Sequence, residues 1–364
     1  RRISSLNKTT SFINKLLLQM SAFEKGNEND EGEVKTCVTD SFKSTGPADQ
    51  PTFDKDIHIL TPFPSEEQKE IFEEMKKRVH ALPIYQNHVS WAHDRQLVRF
   101  LVARNYNLDA SMKLITEALE WREKRKPHEI LANHDEWNDK LSKECETGKI
   151  YCPGMDRWGR SVIVFNNEAQ NTKSAEDHMN FLAWSLEFAS SLLDEEVADK
   201  YVIFCHLTQF SLFSSPSFSE TLETIQMLTG CFPERLGHFV CFQAPAYFRT
   251  VFATVRSFLD QKTVNKLVFI SGDISEGSKN DLLMKEVLGN DWKLLSGVEQ
   301  PVFVKNGSPG YEHKRYWPTV IERVEMIKSG GSSKNNSKKE KGRNEESDNK
   351  VDEELVNSLD GLVV

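Results

Sequence analysis

The sequence predicts an α/β fold preceded by a helical lobe, on three observations. Short runs rich in β-branched and aromatic residues recur at 161–165, 201–206, 237–242 and 266–270. Helix-length stretches alternate with them at 176–193, 216–230, 246–258 and 278–288. Ahead of about residue 130 only helical patterns occur. Strands alternating with helices indicate a mostly parallel sheet, because parallel neighbours need helical crossovers of fixed hand.

The elements follow in order. Ser65-Glu66-Glu67-Gln68 is a capping box, and Ile71, Phe72, Met75, Val79 and Leu82 follow at helical spacing before Pro83. Asp94 is expected to cap a second helix carrying Leu97, Phe100, Leu101 and Val102. Asp109 is expected to cap a third, with Met112, Ile115, Ala118, Leu119 and Trp121 apolar and the end set ahead of Pro127. The glycines of GMDRWGR, 154–160, lack the Lys-Ser/Thr of a phosphate cradle and predict a turn into the strand at 161–165. In 246–258, Phe248, Val251, Phe252, Val255 and Phe258 share an apolar face, with Arg249 and Arg256 on another side. That spacing fits a core-packed helix and a lid over a cavity equally well.

Composition narrows the function. The chain has 364 residues and a net charge of −9, which argues against coating nucleic acid. Phe outnumbers Tyr and Trp, 22 against 7 and 7, as suits a large dry interior. Cysteines at 37, 145, 152, 205, 231 and 241 form no CxxC and no zinc spacing. This predicts a reduced compartment, with no metal and no disulfide framework, and Cys205 and Cys241 as small buried hydrophobes. No run reaches the ~18–20 uncharged apolar residues of a membrane span. Nucleotide-binding, nucleophile-elbow and HExxH motifs are missing, and the 10 histidines carry no nucleophile signature, so no enzyme is predicted.

The ends differ from the middle. Residues 1–23 hold four basic residues and no acid. An extended reading frame ahead of Met20 and a piece of a longer chain are preferred over an organelle transit peptide. Residues 328–343 hold six Lys/Arg against one Glu, and 344–364 seven acids against one lysine, a pattern expected to stay solvated. The expected organisation is an extension over 1–60, a helical lobe over 61–130, an α/β domain over 131–312 and a largely disordered charged tail over 313–364.

Four motifs in series carry a resemblance: DRQLVRFLVARNYNLDASM at 94–112 followed by Trp121-Arg122; Gly154-Met155-Asp156-Arg157-Trp158-Gly159-Arg160; FPERLGHFVCFQAP at 232–245; and Phe258-Leu259-Asp260 with Thr263-Val264-Asn265-Lys266. Over roughly 60–310 the chain resembles the CRAL-TRIO lipid-binding family, in its phosphatidylinositol-transfer (Sec-fourteen-like) branch. The resemblance implies a sheet flooring an apolar lipid pocket, a mobile gate matching Ala246 to Asp260, and no bond chemistry. It implies phosphatidylinositol as ligand in place of any cofactor, with Arg104, Glu234, Arg235, Thr263 and Lys266 at its headgroup. Glu234 and Lys266 are expected to offset each other when no lipid is bound, and Arg122 to serve as an interlobe salt bridge. The partners it implies are phospholipid, a membrane surface touched transiently and lipid kinases, for a cytoplasmic monomer exchanging lipid between membranes.

The sequence departs from the family at the second lipid. Tyr201, Ile203 and His206 stand where a second-lipid pocket is expected; Tyr201 and Ile203 are not small hydroxyl residues, and His206-Leu207 replaces Asp-Leu. Phosphatidylcholine is therefore unsupported, a sterol or other apolar lipid stays open, and His206 reads as a core histidine before a ligand contact. A single-ligand sterol or isoprenoid carrier and a non-exchanging recruitment scaffold are the competing functions.

Overall fold

Ser65 opens the first helix through its side chain, which accepts the Gln68 amide at 3.3 Å, and α1 spans Glu66–His80 with Phe72, Met75 and Val79 buried. The computed structural model describes residues 65–208, 218–245, 248, 252–253, 256, 258–298 and 311–328. These lie in one compact unit, Thr52–Val364; a second unit, Arg1–Pro51, lies outside the described residues. So do the basic N-terminal segment, the charged tail from 329 onward, and Val251 and Val255 of the gate.

The helical lobe continues with α2 (Asp94–Val102) and α3 (Leu108–Arg125). Neither expected cap holds. Asp94 is the first residue inside α2, behind His93, which makes no side-chain cap. Asn107, not Asp109, caps α3, accepting the Ala110 amide at 2.9 Å. Phe72, Met75, Val79, Leu97, Phe100, Leu101, Ile115 and Leu119 form this lobe's own core.

Next come α4 (Pro127–Ala132), α5 (His134–Cys145), β1 (Ile150–Met155), β2 (Ser161–Asn166), α6 (Ala175–Ser191) and β3 (Tyr201–His206). Then α7 (Phe218–Gln226) widens into a π turn at Met227–Cys231, and β4 (Leu236–Phe242), α8 (Gln261–Val264), β5 (Leu267–Ile270), α9 (Lys279–Val287), α10 (Trp292–Ser296) and α11 (His313–Lys328) follow. The strands form one sheet in the order β1-β2-β3-β4-β5. β2 to β5 run parallel and only β1 is antiparallel, as the alternation predicts. The 154–160 segment is the expected turn: Asp156 accepts the Trp158 and Arg160 amides and pairs with the Arg160 side chain, both carboxylate and guanidinium fully buried.

The C-terminal boundary expected at 312 falls short. Trp317, Val320 and Val324 of α11 are buried in the main core, Trp317 donates to Asn138 of α5 at 3.0 Å, and Tyr316 receives the Cys152 amide of β1 at 2.9 Å. Helix α11 therefore belongs to the α/β lobe and not to a charged tail.

Beneath the start of α6, Lys149 is buried in an ion pair with Glu144 and donates to Thr172 at 2.8 Å. His178 of α6 is held neutral there: burial first, then Lys149, lower it from 6.5 to about 4. Its folded-state value is below its unfolded one, so the unfolded chain binds the extra proton. Stability is expected to fall as pH drops from 6.5 toward about 4, by up to about 3 kcal/mol. Denaturant melts across that range should show the wild type losing more than His178→Leu; parallel curves would remove His178 as the cause.

Candidate functional site

The two faces of the sheet are filled differently. Side chains alternate along a strand and stay in line across paired strands. On one face Val164, Phe204 and Val240 have no exposed surface, and His206 and Phe242 pack beside Trp292. On the other face Phe165, Phe239 and Leu267 are only half-buried and Phe269 is 37% exposed. Cys205 and Cys241, paired across β3 and β4, lie among them with Phe248. Phe252 meets Phe269 edge-on at 5.2 Å and Phe248 stacks toward Phe252 at 6.4 Å. This face is an apolar floor with aromatic side chains of the 246–258 segment over it. Phe258 lies in a turn and is 49% exposed.

The second-lipid grouping does not survive this geometry. Tyr201 and Ile203 are fully buried and share the gate-side face. His206 is an odd number of positions away, so it points to the opposite face. There it bonds the Ser296 carbonyl of α10 through Nε2 at 2.8 Å. Burial lowers its pKa, as fits a neutral core histidine. The three residues cannot line one pocket.

At the N-terminal ends of the parallel strands lies a dense ionic cluster. Lys200 precedes β3, Glu234 and Arg235 precede β4, and Lys266 precedes β5, so the topology brings them to one edge. Glu234 Oε2 is 3.7 Å from both Lys200 Nζ and Lys266 Nζ. Arg235 pairs with Glu195 at 2.7 Å and donates to the Asp199 carbonyl at 2.9 Å. From the helical lobe, Arg99 Nη2 reaches Asp199 at 2.9 Å and Glu195 at 3.2 Å, and Arg95 Nη2 reaches Asp199 at 3.0 Å. Burial, then neighbouring Arg235, draw Arg99 down to about 10, against Asp199 and Glu195. Burial opposes ionisation of Glu195, yet Arg235 and Arg99 outweigh it and hold Glu195 below the usual range. Glu234 has a left-handed backbone, φ 54°, a conformation that costs a non-glycine residue ~1–2 kcal/mol. Such strain clusters where a side chain must be aimed.

Of the residues expected at a headgroup, the structure brings Glu234, Arg235 and Lys266 together. Two stand at the margin. Thr263 donates its hydroxyl to Asp260 at 3.0 Å, and Asp260 also accepts its amide at 2.8 Å, so Thr263 serves as the partner of a helix cap. Arg104 Nη1 donates to the Ala103 carbonyl at 2.9 Å; the link from its neighbourhood runs through Asn105, which accepts from Lys262 at 2.8 Å. Arg95, Arg99, Glu195, Asp199 and Lys200 were not anticipated. Arg95 and Arg99 lie four apart on one helical face, and Asp199-Lys200, like Glu234-Arg235, is a charged dipeptide just ahead of a strand. Parallel strands collect such dipeptides at one edge, and that was the usable signal. Arg122 is fully buried, pairs with Glu187 at 2.5 Å and lies over Trp91 at 4.2 Å, joining the helical lobe to α6 as the salt-bridge expectation holds.

Residues 145–289 match the family model described as the CRAL/TRIO domain. Over that stretch the chain is similar to the CRAL/TRIO domain. The match begins at the end of α5 and runs through the whole sheet to just beyond α9. A CRAL-TRIO domain-containing protein of Schizosaccharomyces pombe is 27% identical over 208 residues, 55% of this chain and 46% of that protein. The phosphatidylinositol transfer protein PDR17 of Saccharomyces cerevisiae is 25% identical over 254 residues, 65% of each chain. The SEC14 cytosolic factor of Yarrowia lipolytica is 26% identical over 188 residues, 48% of this chain and 38% of that one. The chain thus spans less than two thirds of the length of each of these relatives. A crystal structure of Sfh5 aligns at 16% identity with a TM-score of 0.48, over 73% of this chain and all of that one. Among the described residues no helix is long and apolar enough to cross a membrane.

Proposed function

We propose that this protein binds phosphatidylinositol and exchanges it between membranes or presents it to lipid kinases, working in the cytoplasm as a monomer that touches membranes transiently. The observation that carries the reading is the pairing of an incompletely filled apolar sheet face with a cationic cluster at the strand ends. Acyl chains would lie on the floor of Phe165, Phe239, Leu267 and Phe269, under Phe248 and Phe252. A phosphodiester entering a partly dry site needs charged hydrogen-bond donors, which Lys266, Lys200 and Arg235 supply. Glu234 is suited to accept the inositol hydroxyls. The protein's work is then binding, without bond chemistry. The name of the relative PDR17, a phosphatidylinositol transfer protein, supports the same reading. Exposed Phe258 and Phe269 provide an apolar rim for membrane contact in a chain of net negative charge.

The test is transfer between vesicles by the full chain and by Glu234→Lys with Lys266→Ala. The double variant is expected to lose phosphatidylinositol transfer. Unchanged transfer would reject the site. Lipid extracted from the native protein consisting only of a sterol or isoprenoid, by mass spectrometry, would reject phosphatidylinositol.

A further inference from the structure

We propose that His88, His128 and Arg122 form an acid-sensitive latch between the helical lobe and the α/β lobe, closed while both imidazoles are neutral and opened when they take up protons. The inference stands apart from the headgroup reading, because none of its residues belongs to the strand-end cluster. Arg122, near the end of α3, is the central cation. Its side chain has no exposed surface, reaches Glu187 of α6 at 2.5 Å and lies over Trp91 at 4.2 Å. His88, in the segment joining α1 to α2, is 2% exposed, and its ring meets that of His128 in α4 edge-on at 5.4 Å. The neighbours of His88, Tyr85 and Trp91, pack on the core of the helical lobe, whereas α4 enters the main core through Ile130. The two rings therefore face each other across the junction that Arg122 spans.

Protonation would put three cations into this space. His88 Nε2 stands 3.0 Å from Glu123 Oε2, so the neutral ring that suits this contact carries its proton there. The Nδ1 atoms of both histidines, with Nε and Nη2 of Arg122, are buried without a hydrogen-bond partner among the described residues. A proton added at either Nδ1 makes a donor with no acceptor beside a fixed positive charge, which is costly where water is scarce. Burial first, then Arg122, hold both imidazoles below the usual histidine range, and His88 adds to the effect on His128. The opposing carboxylates are Glu123 and Glu129 for His88, and Glu187 and Glu129 for His128. Glu123 and Glu129 are 45% and 46% exposed, so water screens their pull, and Glu187 is already paired with Arg122. The Cys231 thiol, which also feels Arg122, is pushed up to about 12 by burial and brings no charge. The open junction thus binds protons more tightly than the closed one. Closure is complete above the ordinary histidine range, about 6.5, and is lost progressively as pH falls below it.

Hydrogen exchange of the full chain, corrected for the intrinsic change of rate with pH, measures the opening. From about pH 7.5 to about pH 5.5, protection over 84–92 and 128–132 is expected to fall about tenfold, the linkage of one proton over one pH unit. Strand β3 is expected to lose less. His88→Met with His128→Leu removes both titrations and should hold the junction's protection level across that range, while His178→Leu should leave the wild-type loss in place. Should the double variant fail to fold, the wild type still decides: ring-carbon NMR is expected to place both histidines below about 6.5. A ring titrating at or above that value, an undiminished loss in the double variant, or an equal loss over β3 and the junction overturns the latch.

Discussion

Replacing Asp199 with Ala is expected to destabilise the protein by about 3–5 kcal/mol, the range for removing one partner from a buried ion pair. Asp199 and Arg99 both have fully buried side chains, joined at 2.9 Å. Arg99 also contacts Glu195 at 3.2 Å and the Glu234 carbonyl at 3.5 Å, and it stands beside Arg235, whose like charge disfavours it further. Without Asp199, the guanidiniums of Arg95, Arg99 and Arg235 all share Glu195, and Arg95 loses its closer bond at 3.0 Å. The cost falls on the junction of the helical lobe with the sheet, because α2 supplies the arginines and the β3 approach supplies the carboxylate. The contrast is Arg99→Met with Asp199→Leu, which removes charge and counter-charge together and is expected to recover most of the loss. Chemical denaturation of both variants measures it. An Asp199→Ala protein within about 1 kcal/mol of wild type would mean that water reaches Arg99 and that the cluster does not hold the lobes.

These lobes were legible in the sequence to different depths. The parallel strands declare themselves because each is a short β-branched or aromatic run between helical patterns, and the observed strands match within a residue at either end. Strand β1 was hidden by Pro153 and Gly154, which interrupt the pattern; an edge strand tolerates both, and the pairing with β2 shifts register between Tyr151 and Gly154. Helix α11 was hidden by Pro318 and by the low-complexity run after it, although Trp317, Val320 and Val324 keep helical spacing. The caps of α2 and α3 were misplaced because Asn107 and Asp109 are both competent acceptors, and composition does not decide which one sits three residues before a free amide. At the site, single motifs supplied Glu234, Arg235 and Lys266. The carboxylates that hold the arginines lie in a loop with no motif, so only the topology could assemble them. The second-lipid grouping failed on a rule available from the start, that a strand turns residues 203 and 206 to opposite faces.

Substituting Gly148 with Ala is expected to cost about 3 kcal/mol or more, from two causes acting at one atom. Gly148 turns the chain from α5 into β1 with φ +72°, a conformation that disfavours any Cβ. A Cβ built there would lie 2.4 Å from Tyr311 Cγ and 2.9 Å from Tyr311 Cβ. Those are the stiff inner atoms of the side chain, so relief requires backbone movement. Tyr311 is poorly placed to yield: its hydroxyl meets His313 Nδ1 at 2.8 Å and Cys145 Sγ at 3.1 Å, and its ring packs on Tyr151 and Tyr316. Displacing it loosens the start of α11, and with it the cover that Trp317, Val320 and Val324 give the core. Gly148→Asn separates the two causes. Asn tolerates a left-handed backbone better than Ala but carries the same Cβ, so equal losses assign the cost to the collision and a milder Asn assigns it to φ. Tyr311→Ala supplies the complementary arm: if the ring is the obstacle, Gly148→Ala combined with Tyr311→Ala loses less than the sum of the two single changes. Strict additivity would show that Gly148 serves the turn alone, and that α11 is held by its own apolar face without the tyrosine as its anchor.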